Sequence, residues 1–389
     1  LVGINVIGMP FGMHGLGQEL RDKVRALRSV GIDVCVLEQN YSSLRRRIVE
    51  PDIEALLSAK PVYPVNLICH NLPATHLIQR KNPELLDGRY NIGAPYWEYP
   101  EIPGNHLPGF DALDEIWTSN SFLTDCFRPV ADVPIIEMPL HLPFPQDTDQ
   151  PALDGGDAFV FGYVFDFNSM ASRKDPTVLI LAFLECFGAT PEAPVELVLK
   201  YSMEKSRWIN PARVEDFLRL AALDPRIKLI PDAYSTEQMA ALMQSFDAYV
   251  SPHRAEGLGR GIIEAMMRGK AVAATKYSGP AQFLDLEWSY PLDFYASHVG
   301  AEAFGDTKPG FSWVEVELES LVAAMTALAA DPQAAARKGA IAAKMMRDRH
   351  GPKAFGMACL ERLRAIEAKA ADRVLSPADC VVQRDCIKE

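Results

Sequence analysis

The sequence predicts two α/β units in series along 389 residues, each built on a parallel sheet. Three observations predict this. Short β-branched or aromatic runs alternate with amphipathic helical stretches twice over, the pattern of parallel strands joined by helical crossovers. A Pro-, Asp- and Gly-rich stretch over 139–156, with little periodicity, separates the two series as an interdomain linker would. The length also exceeds a single core, since domains run to about 100–200 residues.

In the first half, strands are expected over 3–7, 34–37, 65–69, 90–92, 115–118 and 134–138. The first runs into Gly8-Met9-Pro10-Phe11-Gly12-Met13-His14-Gly15-Leu16-Gly17, after which Leu20, Val24, Leu27 and Val30 recur at helical spacing. Glycine between a strand and a helix lets backbone approach a ligand at the carboxyl edge of a sheet, which makes Gly15 and Gly17 candidate binding positions. A dinucleotide fingerprint needs a different glycine spacing, so dinucleotide binding is disfavoured although Glu38 could serve as its acid.

In the second half, strands are expected over 158–164, 195–200, 227–230, 248–250 and 271–275, with helices over 176–187, 211–223, 236–245 and 259–268. From 314 onward the chain reads as almost wholly helical. The expected division is a first domain over 1–145, a linker over 146–157, a second domain over 158–350, and a crossover helix and tail over 351–389.

Composition narrows the function. Lysine and arginine number 39 against 51 acids, a net charge of -12 that disfavours nucleic acid as a partner. No apolar run approaches the roughly 20 residues of a spanning helix. Seven scattered cysteines (Cys35, Cys69, Cys126, Cys186, Cys359, Cys380, Cys386) contain no C-x-x-C pair, so a reducing, cytoplasmic setting is expected. Arg45-Arg46-Arg47 reads either as a solvated loop or as a contact with anionic lipid at the inner face of a membrane. Asp147 and Asp149 have metal-ligand spacing but stand among prolines, so they read as solvated linker acids and no metal is expected.

The chemistry concentrates in Ser251-Pro-His-Arg-Ala-Glu256-Gly257-Leu258-Gly259-Arg-Gly-Ile-Ile-Glu264-Ala-Met-Met. A strand ends, a glycine-rich turn carries Glu256, and a helix follows with Glu264 among Ile262, Ile263, Ala265 and Met266. Burying an unpaired acid costs several kcal/mol, so Glu264 should meet hydroxyl or amide donors, of which a ribose diol is one kind. The other reading makes Glu256 a helix cap and turns Glu264 to solvent.

This segment resembles the signature of retaining nucleotide-sugar glycosyltransferases of family four, which adopt the GT-B fold. Gly269-Lys270 through Ser278-Gly279-Pro280 resembles the strand and loop that follow in those enzymes. Phe165-Asp-Phe-Asn-Ser-Met-Ala-Ser-Arg173-Lys174-Asp175-Pro176 is similar to a helix start in a bacterial polysaccharide and lipopolysaccharide branch. Asn91 to Glu98 and Asp114 to Phe122 look like that branch's first domain.

The resemblance implies two Rossmann-like domains facing across a cleft, with C-terminal helices returning to the first. It implies a nucleotide-diphosphate sugar, with a GDP or UDP carrier, as donor, a glycan, lipid-linked glycan or other hydroxyl as acceptor, and no metal or other cofactor. Glu264 would bind the ribose and Glu256 the sugar hydroxyls; amides near Gly257, Leu258 and Gly259 would face the diphosphate with Arg173, Lys174 and Lys200. The family's first-domain histidine has no counterpart between Tyr90 and Glu98, where Trp97 and Glu98 stand instead, and His70, His106 and His14 are nearby substitutes. A GT-B sugar-nucleotide epimerase and a catalytically silent binding module remain as alternatives.

Overall fold

The structure, a computed structural model, describes residues 3–41, 47–142, 156–203, 209–301 and 307–375, with side chains to residue 369 in the last span. Arg45, Arg46, Asp147, Asp149, Cys380, Cys386 and most of the expected linker lie outside the described residues.

The first sheet contains β1 (Gly3–Gly8), β2 (Asp33–Glu38), β3 (Val65–Ile68), β4 (Tyr90–Gly93), β5 (Glu115–Thr118) and β6 (Ile135–Glu137). All pair in parallel in the order β2-β1-β3-β4-β5-β6. Its helices are α1 (Gly15–Ser29), the single turn α2 (Pro51–Glu54), α3 (Leu72–Lys81) and α4 (Ser121–Phe127). Strands buried on both faces read as continuous apolar runs, which is why β1 was legible as Gly-Ile-Asn-Val-Ile-Gly, buried throughout.

The second sheet contains β7 (Phe159–Asp166), β8 (Val195–Ser202), β9 (Ile227–Ile230), β10 (Ala248–Ser251), β11 (Ala271–Thr275) and β12 (Tyr290–Leu292). These too are parallel, in the order β12-β11-β10-β7-β8-β9. The strand order therefore reverses between β7 and β10, and in open α/β sheets ligands bind at the carboxyl ends beside such a reversal. The helices here are α5 (Ala171–Lys174), α6 (Pro176–Phe187), α7 (Pro211–Ala221), α8 (Thr236–Ser245) and α9 (Arg260–Met267).

Three features depart from the sequence expectation. β12 is a sixth strand, and an antiparallel hairpin follows it, β13 (Phe294–His298) with β14 (Ser312–Val316). Residues 314–316 are consequently strand, and the helical region starts two residues later with α10 (Leu318–Ala330), then α11 (Pro332–Arg349) and α12 (Pro352–Leu375).

The return to the first domain is made by α12. Its Phe355, Cys359, Leu363 and Ile366 join Leu20, Val24 and Leu27 of α1 in one core. A Cβ at Gly356 would lie 2.6 Å from the carbonyl oxygen of Ala26, so only glycine lets the two helices approach this closely. Arg362 anchors the helix to fully buried Glu115, its Nε 2.9 Å from Oε1.

Candidate functional site

The ends of β7 and β10 carry the two segments that the sequence singled out. After β7, Asp175 precedes Pro176, and proline disfavours helical backbone in the residue before it. The chain accordingly makes one turn, α5, breaks at Asp175 with φ +45°, and restarts as α6. That single turn presents Arg173 and Lys174 to the loop after β10.

There Glu256 meets both. Arg173 Nη1 lies 3.1 Å from Glu256 Oε2, and Lys174 Nζ pairs with Oε1. Arg173 is buried and fixed by the Ala255 carbonyl at 2.7 Å and the Ser169 hydroxyl at 2.8 Å. Its Nη2 also lies 3.6 Å from Oε1 of Glu98, which reaches in from the first domain. One arginine thus stands between carboxylates of the two domains.

The electrostatics follow from burial and pairing. Burial works against the charge of Glu256, but Lys174 and then Arg173 outweigh it and hold the carboxyl down at about 2. Burial opposes the charge of Arg173 as well, and Glu256 and Glu98 overcome it. For Lys174 burial dominates, and its pKa falls below the usual lysine value despite Glu256. The cluster holds two cations and one interior carboxylate, so an incoming dianion meets positive groups already oriented.

Beside it, α9 starts at Gly259, whose φ of +77° suits glycine, and no side chain caps this helix. Its first backbone N–H groups therefore supply donors and positive potential at the same edge. The Ser278 hydroxyl accepts from the Glu256 amide at 3.0 Å, and the Gly279 amide donates to the Glu256 carbonyl at 2.9 Å. Asn120 Nδ2 donates to the Gly257 carbonyl at 2.7 Å across the cleft, and a Cβ on Gly257 would lie 2.6 Å from the Trp97 carbonyl oxygen. Leu258 is buried between these contacts.

Glu264 lies one helical turn beyond Arg260, which holds Glu264 Oε1 at 2.7 Å through Nε. The same guanidinium crosses the cleft to Asp22 Oδ2 on α1 at 2.6 Å. Lys200 is buried on β8, two residues before the strand ends, where it donates to the Tyr201 carbonyl at 3.1 Å and lies 5.5 Å from the Tyr234 ring centroid.

On the opposite edge, His14 caps α1, its Nδ1 accepting from the Gly17 amide at 3.2 Å. Gly15 is exposed with open space at its Cβ position, whereas a Cβ on Gly17 would fall 2.2 Å from the Gly12 carbonyl oxygen. His70 is buried, with Nε2 donating to the Gln39 carbonyl at 2.8 Å, and burial pushes its pKa down to about 4. His106 is buried against Trp97, ring centroids 4.6 Å apart. Arg47 pairs with Glu38 at 3.0 Å and lies 5.0 Å from the Phe11 ring centroid.

The structure therefore brings together Glu256, Arg173, Lys174, Glu98, Gly257, Leu258 and Gly259. Glu264 is joined through Arg260 to Asp22 of α1, the helix that the glycine loop opens. Sequence reasoning passed over Arg254, Arg260, Asn120 and Ser278. A cation two residues before Glu256 and another at the first position of α9 stand in the sequence, but only folding shows what they reach. Among the described residues no group of three or more His, Cys, Asp and Glu side chains is placed to hold a metal, and no helix is long and apolar enough to cross a membrane.

The family described as "Glycosyl transferases group 1" matches residues 200–288, a span that carries Glu256, Glu264 and Ser278. No curated protein matches the sequence. Among solved structures, sucrose-phosphate synthase from Thermosynechococcus elongatus is similar with a TM-score of 0.69 at 14% identity, covering 95% of this chain and 100% of that one. Anabaena HepE in complex with UDP-glucose gives 0.68 at 14% identity, covering 94% and 100%. The catalytic domain of starch synthase IV from Arabidopsis thaliana, bound to ADP and acarbose, gives 0.58 at 10% identity, covering 97% and 100%. With two six-stranded parallel sheets and these neighbours, the fold is GT-B.

Proposed function

We propose that this protein is a retaining glycosyltransferase of the family-four type, moving a sugar from a nucleotide-diphosphate donor, with UDP or GDP as carrier, to a hydroxyl of a glycan or lipid-linked glycan. The observation that carries the reading is the placement of Glu256 between Arg173 and Lys174, at the strand-order reversal and beside the uncapped start of α9. The matched family and the UDP-glucose and ADP complexes of similar folds support a nucleotide donor.

In this reading the diphosphate lies against Arg173, Lys174 and the first amides of α9, with Lys200 on its flank. Glu256 orients hydroxyls of the sugar, and Glu264 takes the ribose. The cations stabilise charge that develops as the glycosidic bond breaks, which is where fixed positive groups lower a barrier most. The departing diphosphate accepts the acceptor's proton on the same face, so the reaction needs neither a strong protein base nor a metal. Glu98, which approaches the same arginine from the first domain, is our first candidate for the group that meets the reacting sugar or acceptor. His70, donating to Gln39, is the second candidate. The reaction belongs in the cytoplasm, where nucleotide sugars are the available donors.

The test is incubation with UDP-, GDP- and ADP-sugars in the presence of EDTA, with hydroxyl acceptors, following nucleotide release and the anomeric configuration of the product by NMR. Retention in the presence of the chelator is expected. An inverted product, or activity restored only by manganese, would overturn the mechanism. Altered donor stereochemistry without an acceptor would show an epimerase, and binding without turnover a silent module.

A further inference from the structure

We propose that Arg254 is a positioning residue for the donor site, holding the cation-bearing turn α5 and the Glu256 loop in one frame. The inference rests on the donor reading above and adds how the site is kept in register.

Every nitrogen of the Arg254 guanidinium is committed. Nη2 lies 2.9 Å from Asp175 Oδ2, the residue that closes α5, and Nη1 donates to the Ser172 carbonyl within α5 at 3.0 Å. Nε reaches Glu315 Oε2 on β14 at 2.6 Å, and the plane sits 4.8 Å from the Trp313 ring centroid. The backbone repeats the pattern. The Arg254 amide donates to the Arg173 carbonyl at 2.8 Å, and its carbonyl accepts from Val314 at 3.1 Å. With 14% of its side chain exposed, Arg254 touches none of the charged ends of Arg173, Lys174 or Glu256, and so acts through the pieces that carry them.

α5 needs such a brace. It is one turn long and bounded by Met170 at φ +58° and Asp175 at φ +45°, both left-handed and neither glycine. Residues in that region persist when their surroundings hold them there. The far end of the brace is also fixed, because Trp313 packs in a core with Trp97 and Tyr99, and the Ser312 amide donates to Glu101 of the first domain at 3.0 Å. Arg254 therefore links the cation turn, the Glu256 loop and a hairpin seated on the opposite domain. A lysine keeps the charge but cannot reproduce a planar fork with three directions.

The experiment is a double-mutant cycle read by calorimetry with UDP, GDP and ADP. Arg254→Lys should weaken the binding of whichever nucleoside diphosphate the wild type takes by about tenfold. In a Lys174→Ala background the same substitution should cost less, about threefold, because one of the two cations carried by α5 is already gone and only Arg173 is left to be positioned. Equal losses in the two backgrounds, or unchanged affinity in folded Arg254→Lys, would overturn the proposal. Glu315→Gln leaves the arginine in place and loosens only the hairpin anchor, so it serves if Arg254→Lys does not fold. It should weaken diphosphate binding about threefold, and no change would count against the brace. If the wild type binds none of the three nucleotides, the donor reading itself fails and this inference falls with it.

Discussion

Replacing Glu256 by glutamine keeps the side chain's size and removes the charge that Arg173 and Lys174 share. The carboxyl sits at about 2 in the folded protein against an ordinary 4.5. Its pKa is depressed, so its contribution to stability is complete above 4.5 and is lost as the pH falls toward 2. At roughly 1.4 kcal/mol per pH unit, the ionised group contributes on the order of 3 kcal/mol at neutral pH. Glu256→Gln therefore leaves two interior cations facing each other and should cost about that much. For a domain of this size it should lower Tm by roughly 6–12 °C. A nucleoside diphosphate supplies the missing negative charge, so its addition should raise the Tm of the variant more than that of the wild type, where it competes with Glu256 for the same cations. Turnover should fall steeply although the nucleotide binds the variant more tightly than the wild type. Scanning calorimetry at pH 7, with and without UDP or GDP, reads both effects. A variant melting within about 2 °C of wild type, or equal nucleotide shifts in the two proteins, would refute the shared-charge argument.

Two further substitutions test the frame around the site. Gly17→Ala places a methyl 2.2 Å from the Gly12 carbonyl and should lose roughly 1–3 kcal/mol in urea unfolding, whereas Gly15→Ala, with open space, should change stability by less than about 0.5 kcal/mol. Arg362→Ala leaves buried Glu115 with only Tyr90 and Trp117 as donors and should cost about 3 kcal/mol, visible as a lower urea midpoint; an unchanged midpoint would remove this pair from the anchoring of α12.

What could be read in the sequence follows from what each element packs against. Interior parallel strands such as 248–251 and 271–275 stand out as apolar runs because both faces are covered. β12 escapes because Tyr290-Pro291-Leu292 is short and contains proline, which edge strands tolerate; it pairs only with β11. The hairpin escapes because its strands are joined across residues 299–311, far longer than a tight turn, and β14 runs directly into α10. At the site, Glu256 and Glu264 could be recognised from their spacing and glycine context. Arg260 and Glu264 pair at the i,i+4 spacing of one helix, but that the same guanidinium reaches Asp22 on the opposite domain depends on a juxtaposition of residues 238 apart in sequence. No local pattern encodes it.

Backbone strain is the part of the site least visible in sequence, and Ser278 shows why. Among the described residues, the non-glycines with positive φ are Met170, Asp175 and Ser278, and all three border the Glu256 cluster. Ser278, at φ +57° and ψ -146°, lies in a region occupied almost only by glycine. What holds serine there is its hydroxyl, which accepts from the Glu256 amide at 3.0 Å and donates to the Tyr277 carbonyl at 2.8 Å. Two substitutions separate the contributions. Ser278→Ala keeps the steric cost and loses both hydrogen bonds, so it should destabilise by about 1–2 kcal/mol. Ser278→Gly loses the same bonds but relieves a cost of roughly 1–3 kcal/mol, so it should be the more stable of the two variants, the reverse of the usual alanine-over-glycine order. Both should reduce turnover more than nucleotide affinity, because each frees the Glu256 backbone while leaving Arg173 and Lys174 in place. If alanine proves the more stable in urea unfolding, the strain at Ser278 is not what the turn maintains, and the orientation of Glu256 must come from the Gly279 amide on its carbonyl and from the Arg173 and Lys174 pairs.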